Sequence, residues 1–75
     1  MNLKDRTFLR DLGYRIREYR LAQKWTQAEL AEKCDLHRTF IGSVERGERN
    51  LSILNLRLIA RVLRISAAEL LHGLA

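Results

Sequence analysis

Hydrophobic residues recur along this chain with the period of an α-helix, and short polar breaks divide it into five such segments. The first segment runs from about Thr7 to Gln23. Its apolar stripe consists of Phe8, Leu12, Ile16 and Tyr19, and its polar positions include Arg6, Arg10, Arg17 and Arg20. This arrangement predicts an amphipathic, basic helix.

The next two segments predict two short helices joined by a tight turn. Thr26 and Glu29 form a capping box, which starts the second helix at Gln27. The buried stripe of this helix is Leu30, Ala31 and Cys34. The third helix runs from Arg38 to about Glu45. Its inward residues are Ile41 and Val44, and the residues that point away are Arg38, Thr39, Gly42 and Ser43.

Two further helices complete the pattern. Ser52 caps a fourth helix from Ile53 to about Leu63, whose core stripe is Leu56, Ile59, Ala60 and Leu63. A second capping box, Ser66-Ala67-Ala68-Glu69, opens a fifth helix that stops near Gly73. Residues 1–75 are therefore expected to form one all-α domain of five helices, and a hydrophobic content of 47% without proline suits this class.

The charge of the chain points to a polyanionic partner. The net charge is +5, the sequence pI is about 10.1, and eleven of the fourteen Lys and Arg residues are arginine. Arginine binds phosphate groups and guanine edges with two parallel hydrogen bonds, which lysine does not. This bias favours nucleic acid, although a solvated basic face is the alternative that charge alone leaves open.

The same sequence offers little for catalysis. Cys34 is the only cysteine, and His37 and His72 have no metal-ligand spacing. No Gly-rich phosphate loop or paired-carboxylate motif is present, so neither an enzyme nor a bound metal or cofactor is expected. Charged residues interrupt every hydrophobic stretch, and no signal peptide is visible, so a cytoplasmic protein without membrane contact is expected. No small-molecule effector is expected in a chain of this size.

The second and third helices have the spacing of a DNA-binding helix-turn-helix, at about residues 27–45. Two stretches, Thr26-Gln27-Ala28-Glu29-Leu30-Ala31 and Leu36 to Asn50, resemble the phage-repressor-like (Xre) helix-turn-helix family. The resemblance implies a lambda-repressor-like fold and binding to double-stranded DNA. Within the family, the run from Arg38 to Asn50 is most similar to restriction-modification controller proteins. These are small homodimers that bind operator DNA upstream of their own gene and the endonuclease gene.

The resemblance also implies which residues read bases. Arg38 and Thr39 would contact base edges, since arginine can bond guanine O6 and N7 and threonine can bond a base or touch a thymine methyl group. Gly42 and Ser43 lie one turn further along the same face, and their small size would let the backbone approach the bases. Close packing of neighbouring helices is the other explanation for two small residues there.

By the same resemblance, a second group contacts the DNA backbone. This group is Gln27, Phe40, Arg46, Arg49 and Asn50. Phe40 has a second interpretation, as a plain core residue, and the loop residues have one as a solvated loop. Glu45 would pair with Arg20 in a structural role. Two residues, Lys24 and Asp35, stand where the family usually has glycines that close the first two helices.

The last two helices carry more leucine than one small core needs. The excess is Leu54, Leu58, Leu70, Leu71 and Leu74, and it predicts a homodimer interface within residues 54–74 that would place two recognition helices on an operator with two half-sites. Closure of the monomer core is the alternative for these leucines. An antitoxin or phage-type repressor that also binds a protein partner is the alternative function.

Overall fold

The structure is a computed structural model that describes residues 1–74, which form five α-helices and no β-strand. The helices are α1 (Leu3–Ala22), α2 (Gln27–Cys34), α3 (Arg38–Glu45), α4 (Ile53–Val62) and α5 (Ala67–Leu71). The expected all-α fold of five helices is confirmed. Within these residues, no helix combines the length and the apolar character needed to cross a membrane.

Local capping chemistry starts the helices, and both predicted capping boxes are present. In the first, the Glu29 N–H donates to Thr26 Oγ1 over 3.1 Å, and the Thr26 N–H donates to Glu29 Oε1 over 2.8 Å. His37, at the start of α3, makes no side-chain cap. Each capped start leaves fewer helix N–H groups without a partner.

The start of α1 was predicted wrongly. The helix begins at Leu3, about one turn before Thr7, because Asn2 Oδ1 accepts a hydrogen bond from the Asp5 N–H over 2.8 Å. The apolar stripe that set the predicted boundary begins only at Phe8. An asparagine followed by an aspartate three residues later was the local signal for the earlier start.

Several helix ends use residues in the left-handed region of backbone space. Lys24 and Asp35 have φ values of 64° and 54°, at the two positions where the family usually has glycine. Arg64 also has a positive φ of 63°, at the end of α4. Each such non-glycine residue costs about 1 kcal/mol. The tight turn between α2 and α3 therefore depends on Asp35.

The core lies where α1 to α5 converge, and its buried side chains agree with the predicted stripes. The buried hydrophobic residues are Leu12, Ile16, Leu30, Ala31, Cys34, Ile41, Val44, Leu56, Ile59, Ala60, Leu63 and Leu70. The closest approach of two helices falls at Gly13 of α1, where a Cβ would overlap the backbone carbonyls of Val44 and Glu45 in α3. Because only glycine fits there, α1 packs directly on the last turn of α3.

Leu70 is a correction to the predicted dimer interface. Its side chain is fully buried in the monomer core, so it has no surface left for a second copy. Leu58, Leu71 and Leu74 are partly buried and pack against the same core, whereas Leu54 is 67% exposed. Arg15 of α1 fastens α5 from outside the core, since its guanidinium donates to the backbone carbonyls of Leu70 and His72.

Candidate nucleic-acid interface

The α2–α3 pair presents the start of α3 to solvent. Asp35 turns the chain, and the Leu36 N–H donates to the Ala31 carbonyl over 2.9 Å. Arg38 and Thr39 are exposed, and neither side chain makes a hydrogen bond to another residue in the part of the chain that the structure describes. Because His37 provides no side-chain cap, the first N–H groups of α3 also remain available. This end of α3 thus offers donors and a free guanidinium in one place.

Gly42 differs from its predicted place on the outer face. It is buried, and a Cβ there would lie 3.2 Å from Arg46 Nη1 and 3.3 Å from Gln27 Oε1. The ends of these two side chains cover the helix at this point. The assignment of Gly42 as an exposed base-reading residue is therefore corrected: its missing side chain makes room for Gln27 and Arg46. Packing, the alternative left open for this residue, explains its size.

Ser43 and Phe40 lie at the border between core and surface. The Ser43 hydroxyl donates to the Phe40 carbonyl within α3 over 2.8 Å, which leaves its oxygen as an acceptor on a half-buried side chain. The Phe40 ring is also partly buried and packs against the core, and the Arg49 guanidinium lies 5.1 Å from its centroid. Phe40 is therefore at least a core-edge residue, and it supports a loop arginine by a cation–π contact.

A buried polar cluster holds three helices together beneath this surface. Arg20 Nε donates to Glu45 Oε2 over 2.6 Å, and Arg20 Nη2 donates to Glu45 Oε1 over 2.9 Å. A third bond joins Arg20 Nη1 to the Trp25 carbonyl over 2.7 Å, and Gln27 Nε2 donates to Glu45 Oε1 over 3.0 Å. The hydrogen bond from Glu45 raises the pKa of Arg20. The cluster fixes the end of α1, the start of α2 and the end of α3 in one arrangement.

Gln27 therefore has a structural role that its sequence position did not reveal. Its bond to Glu45 uses one of its two amide protons, so the side chain is oriented by the buried ion pair while its residue stays half-exposed at the start of α2. Arg20, Thr26 and Arg38 line a shallow groove with it. This groove lies at the N-terminus of α2, where the helix dipole favours an anion.

The loop after α3 is polar and open. Arg46, Arg49 and Asn50 are exposed, and Gly47 turns the chain with a φ of 75°. Arg46 Nε lies 3.1 Å from Glu48 Oε1, and both side chains are more than half exposed. An exposed pair of this kind is worth about 0–1 kcal/mol, so it leaves Arg46 free to exchange partners.

The chemistry of the described residues is that of binding. Residues 1–74 contain no cluster of histidine, cysteine or acidic side chains that could hold a metal ion. Burial raises the pKa of the Cys34 thiol to about 11, so this thiol is protonated and unreactive at neutral pH. What the surface does offer is a helix end and a loop rich in arginine.

Comparison with known proteins places this surface in a family. A sequence model of the helix-turn-helix family matches residues 16–70. Control protein C.BamHI of Bacillus amyloliquefaciens is 42% identical over 60 residues, which cover 79% of this chain and 74% of that protein. The crystal structure of the restriction-modification controller protein C.AhdI from Aeromonas hydrophila is similar with a TM-score of 0.80 at 42% identity, covering 83% of this chain and 94% of its own.

A further solved structure contains DNA. It is the restriction-modification controller protein C.Esp1396I as a tetramer in complex with its natural 35 base-pair operator, with a TM-score of 0.79 and 37% identity over 89% of this chain and 88% of that one. This chain therefore belongs to the Xre-like helix-turn-helix family. It is a DNA-binding transcription regulator, as the sequence predicted, and the relatives it resembles are regulators and not enzymes.

Proposed function

We propose that this chain is the controller protein of a restriction-modification system and binds an operator with two half-sites as a homodimer. The observation that carries the proposal is the free Arg38–Thr39 end of α3, on a fold shared with controller proteins at 42% identity. The α3 helix enters the major groove, and its first residues face the bases.

Each exposed residue of the site has a chemical task in this proposal. Arg38 bonds guanine O6 and N7, Thr39 contacts a base or a thymine methyl group, and the Ser43 oxygen accepts from a base further along the groove. The second group contacts phosphates and fixes the register of the protein on the duplex. This group is Gln27, Phe40, Arg46, Arg49 and Asn50.

The dimer is proposed from the remaining leucine surface. Leu54 is exposed, and Leu58, Leu71 and Leu74 each keep part of their surface outside the core. Twofold pairing through this surface places two copies of α3 about 34 Å apart, which is one turn of the duplex. Because a chain of 75 residues buries a limited core, association also adds stability.

Selection from duplexes with a random region of about 40 base pairs tests the proposal. Two related half-sites about 10 base pairs apart are expected in the recovered sequences. With about six phosphates contacted, log K should fall with log salt with a slope of about −5. Recovery of single half-sites, or a protein that stays monomeric on the recovered duplex in sedimentation, would overturn the dimeric assignment.

The controller assignment has its own test. The recovered operator is searched for in the genome that encodes this chain, and the genes downstream are identified. A site upstream of the gene for this chain and of an endonuclease or methyltransferase gene supports the assignment. A site beside phage or toxin genes would contradict it and favour a phage-type repressor or an antitoxin.

A further inference from the structure

The first turns of α1 carry a basic groove that the proposed function does not use. It is lined by Leu3, Arg6, Thr7, Arg10, Arg46 and Gly47 and encloses about 220 Å³. This is room for an ionic group with several waters, since each water occupies about 30 Å³. Arg6 and Arg10 precede residues 16–70, so the family match assigns them no role.

Gly47 brings the two sides of this groove together. Its φ of 75° favours glycine, and a Cβ there would lie 2.6 Å from the Cα of Arg10. The loop after α3 can therefore touch the backbone of α1 only without a side chain at this position. As a result, the Arg46 side chain of the loop lines the same groove as Arg6 and Arg10 of the helix.

The positive charge of the groove is poorly compensated. Arg6 and Arg10 are exposed and one helical turn apart, a spacing at which like charges disfavour a helix. Within residues 1–74 neither forms an ion pair, and the one pair at the groove, Arg46 with Glu48, is exposed on both sides. Three arginines thus converge on one opening, and a bound anion would relieve their repulsion.

We propose that this groove binds phosphates of the DNA backbone next to those held by the loop after α3. The inference rests on the proposed function, because it requires that Arg46 and its neighbours lie on the duplex. A strand that passes the loop also passes the groove, since Gly47 lies against Arg10. Successive phosphates of one strand then meet first Arg46 and then Arg10 and Arg6, which lengthens the contact without reading sequence.

The test replaces Arg6 and Arg10 by glutamine and measures binding to a duplex recovered by the selection described above. The matched control replaces Arg57 and Arg61, an exposed pair with the same spacing on α4. Loss of each phosphate contact makes the slope of log K against log salt less steep by about 0.9. The Arg6→Gln/Arg10→Gln variant should lose about 2 units of slope or more and keep its preference for the selected over a scrambled duplex.

A charge-conserving variant separates contact from folding. Arg6→Lys/Arg10→Lys should keep the slope of the unmodified protein, because a lysine still neutralises a phosphate. A lysine variant that loses as much as the glutamine variant, or a control variant that loses as much, would overturn the groove. If the unmodified protein binds with a steep slope and the glutamine variant matches it, only this inference fails. If the unmodified protein does not bind the selected duplex, the proposed function fails with it.

Discussion

The guanidinium of Arg20 and the carboxylate of Glu45 form a two-bond ion pair whose side chains are 8% and 2% exposed. The pair lies behind the recognition surface and joins α1 to the end of α3. Removal of one partner leaves a buried charge without compensation, which costs about 3–5 kcal/mol. Glu45→Ala should therefore lower the free energy of unfolding by about this amount in urea denaturation.

Glu48 provides the matched control for that measurement. Its pair with Arg46 has the same chemistry but is exposed, and exposed pairs contribute about 0–1 kcal/mol. Glu48→Ala should therefore leave stability almost unchanged. An equal loss from both substitutions would show that burial does not determine the strength of the pair.

Two glycines in helices should respond to alanine in opposite directions. At Gly42 a Cβ would meet only the ends of the Arg46 and Gln27 side chains, at 3.2 and 3.3 Å, and these can move. At Gly13 it would overlap backbone carbonyls in α3, which cannot. Gly42→Ala should therefore be neutral or stabilising by up to about 1 kcal/mol. Gly13→Ala should destabilise by about 1–3 kcal/mol in thermal unfolding. Similar effects at both positions would contradict this reading of the α1–α3 contact.

These glycines also show where sequence patterns stop being informative. Periodicity indicates which face of a helix is buried, and capping chemistry indicates where a helix starts, so the core stripes and both capping boxes were predictable. Gly13 has no side chain to appear in a periodic pattern, although a glycine inside an amphipathic helix was a usable signal of close packing. Gly42 was misplaced because Gln27 and Arg46, from other segments, fold over it.

The leucines of α5 show a second limit. Leu70 and Leu71 are neighbours in sequence, but Leu70 is fully buried and Leu71 is half-exposed. The excess of leucine was visible, but its division between core and surface depends on the Arg15 bonds that hold α5 against α1. Such a long-range contact leaves no periodic trace.

The capping box of α2 gives a prediction for pH dependence. Hydrogen bonds from Thr26 hold the pKa of Glu29 below its usual value. Since the folded-state pKa lies below the unfolded one, the stabilisation is present above the unfolded pKa and is lost as the pH falls through the folded value. Thr26→Val should therefore flatten the stability profile in the acidic range, measured by denaturation at several pH values. A profile as steep as that of the unmodified protein would exclude Glu29 as its source.

Base reading and backbone contact should separate by mutation. Arg38 is free at the start of α3, so Arg38→Ala should cost about 1–3 kcal/mol of binding and relax discrimination at one base pair. Asn50→Ala, in the loop, should weaken binding to all duplexes alike. Affinities for the selected duplex and its single-base variants check both effects. The division of roles fails if both substitutions relax the same base pair.

Leu54 and Leu70 test the dimer surface separately from the core. Leu54 is 67% exposed, so Leu54→Glu should leave the fold intact, and under the proposed dimer it should shift the protein towards monomers in sedimentation. Leu70 is fully buried, so Leu70→Ala should cost about 2–5 kcal/mol of stability by leaving a cavity. Operator binding by Leu54→Glu should weaken far more than binding to a single half-site, because only the operator requires two linked recognition helices. Equal weakening on both duplexes would locate the effect of Leu54 at the DNA contact and remove this residue from the dimer surface.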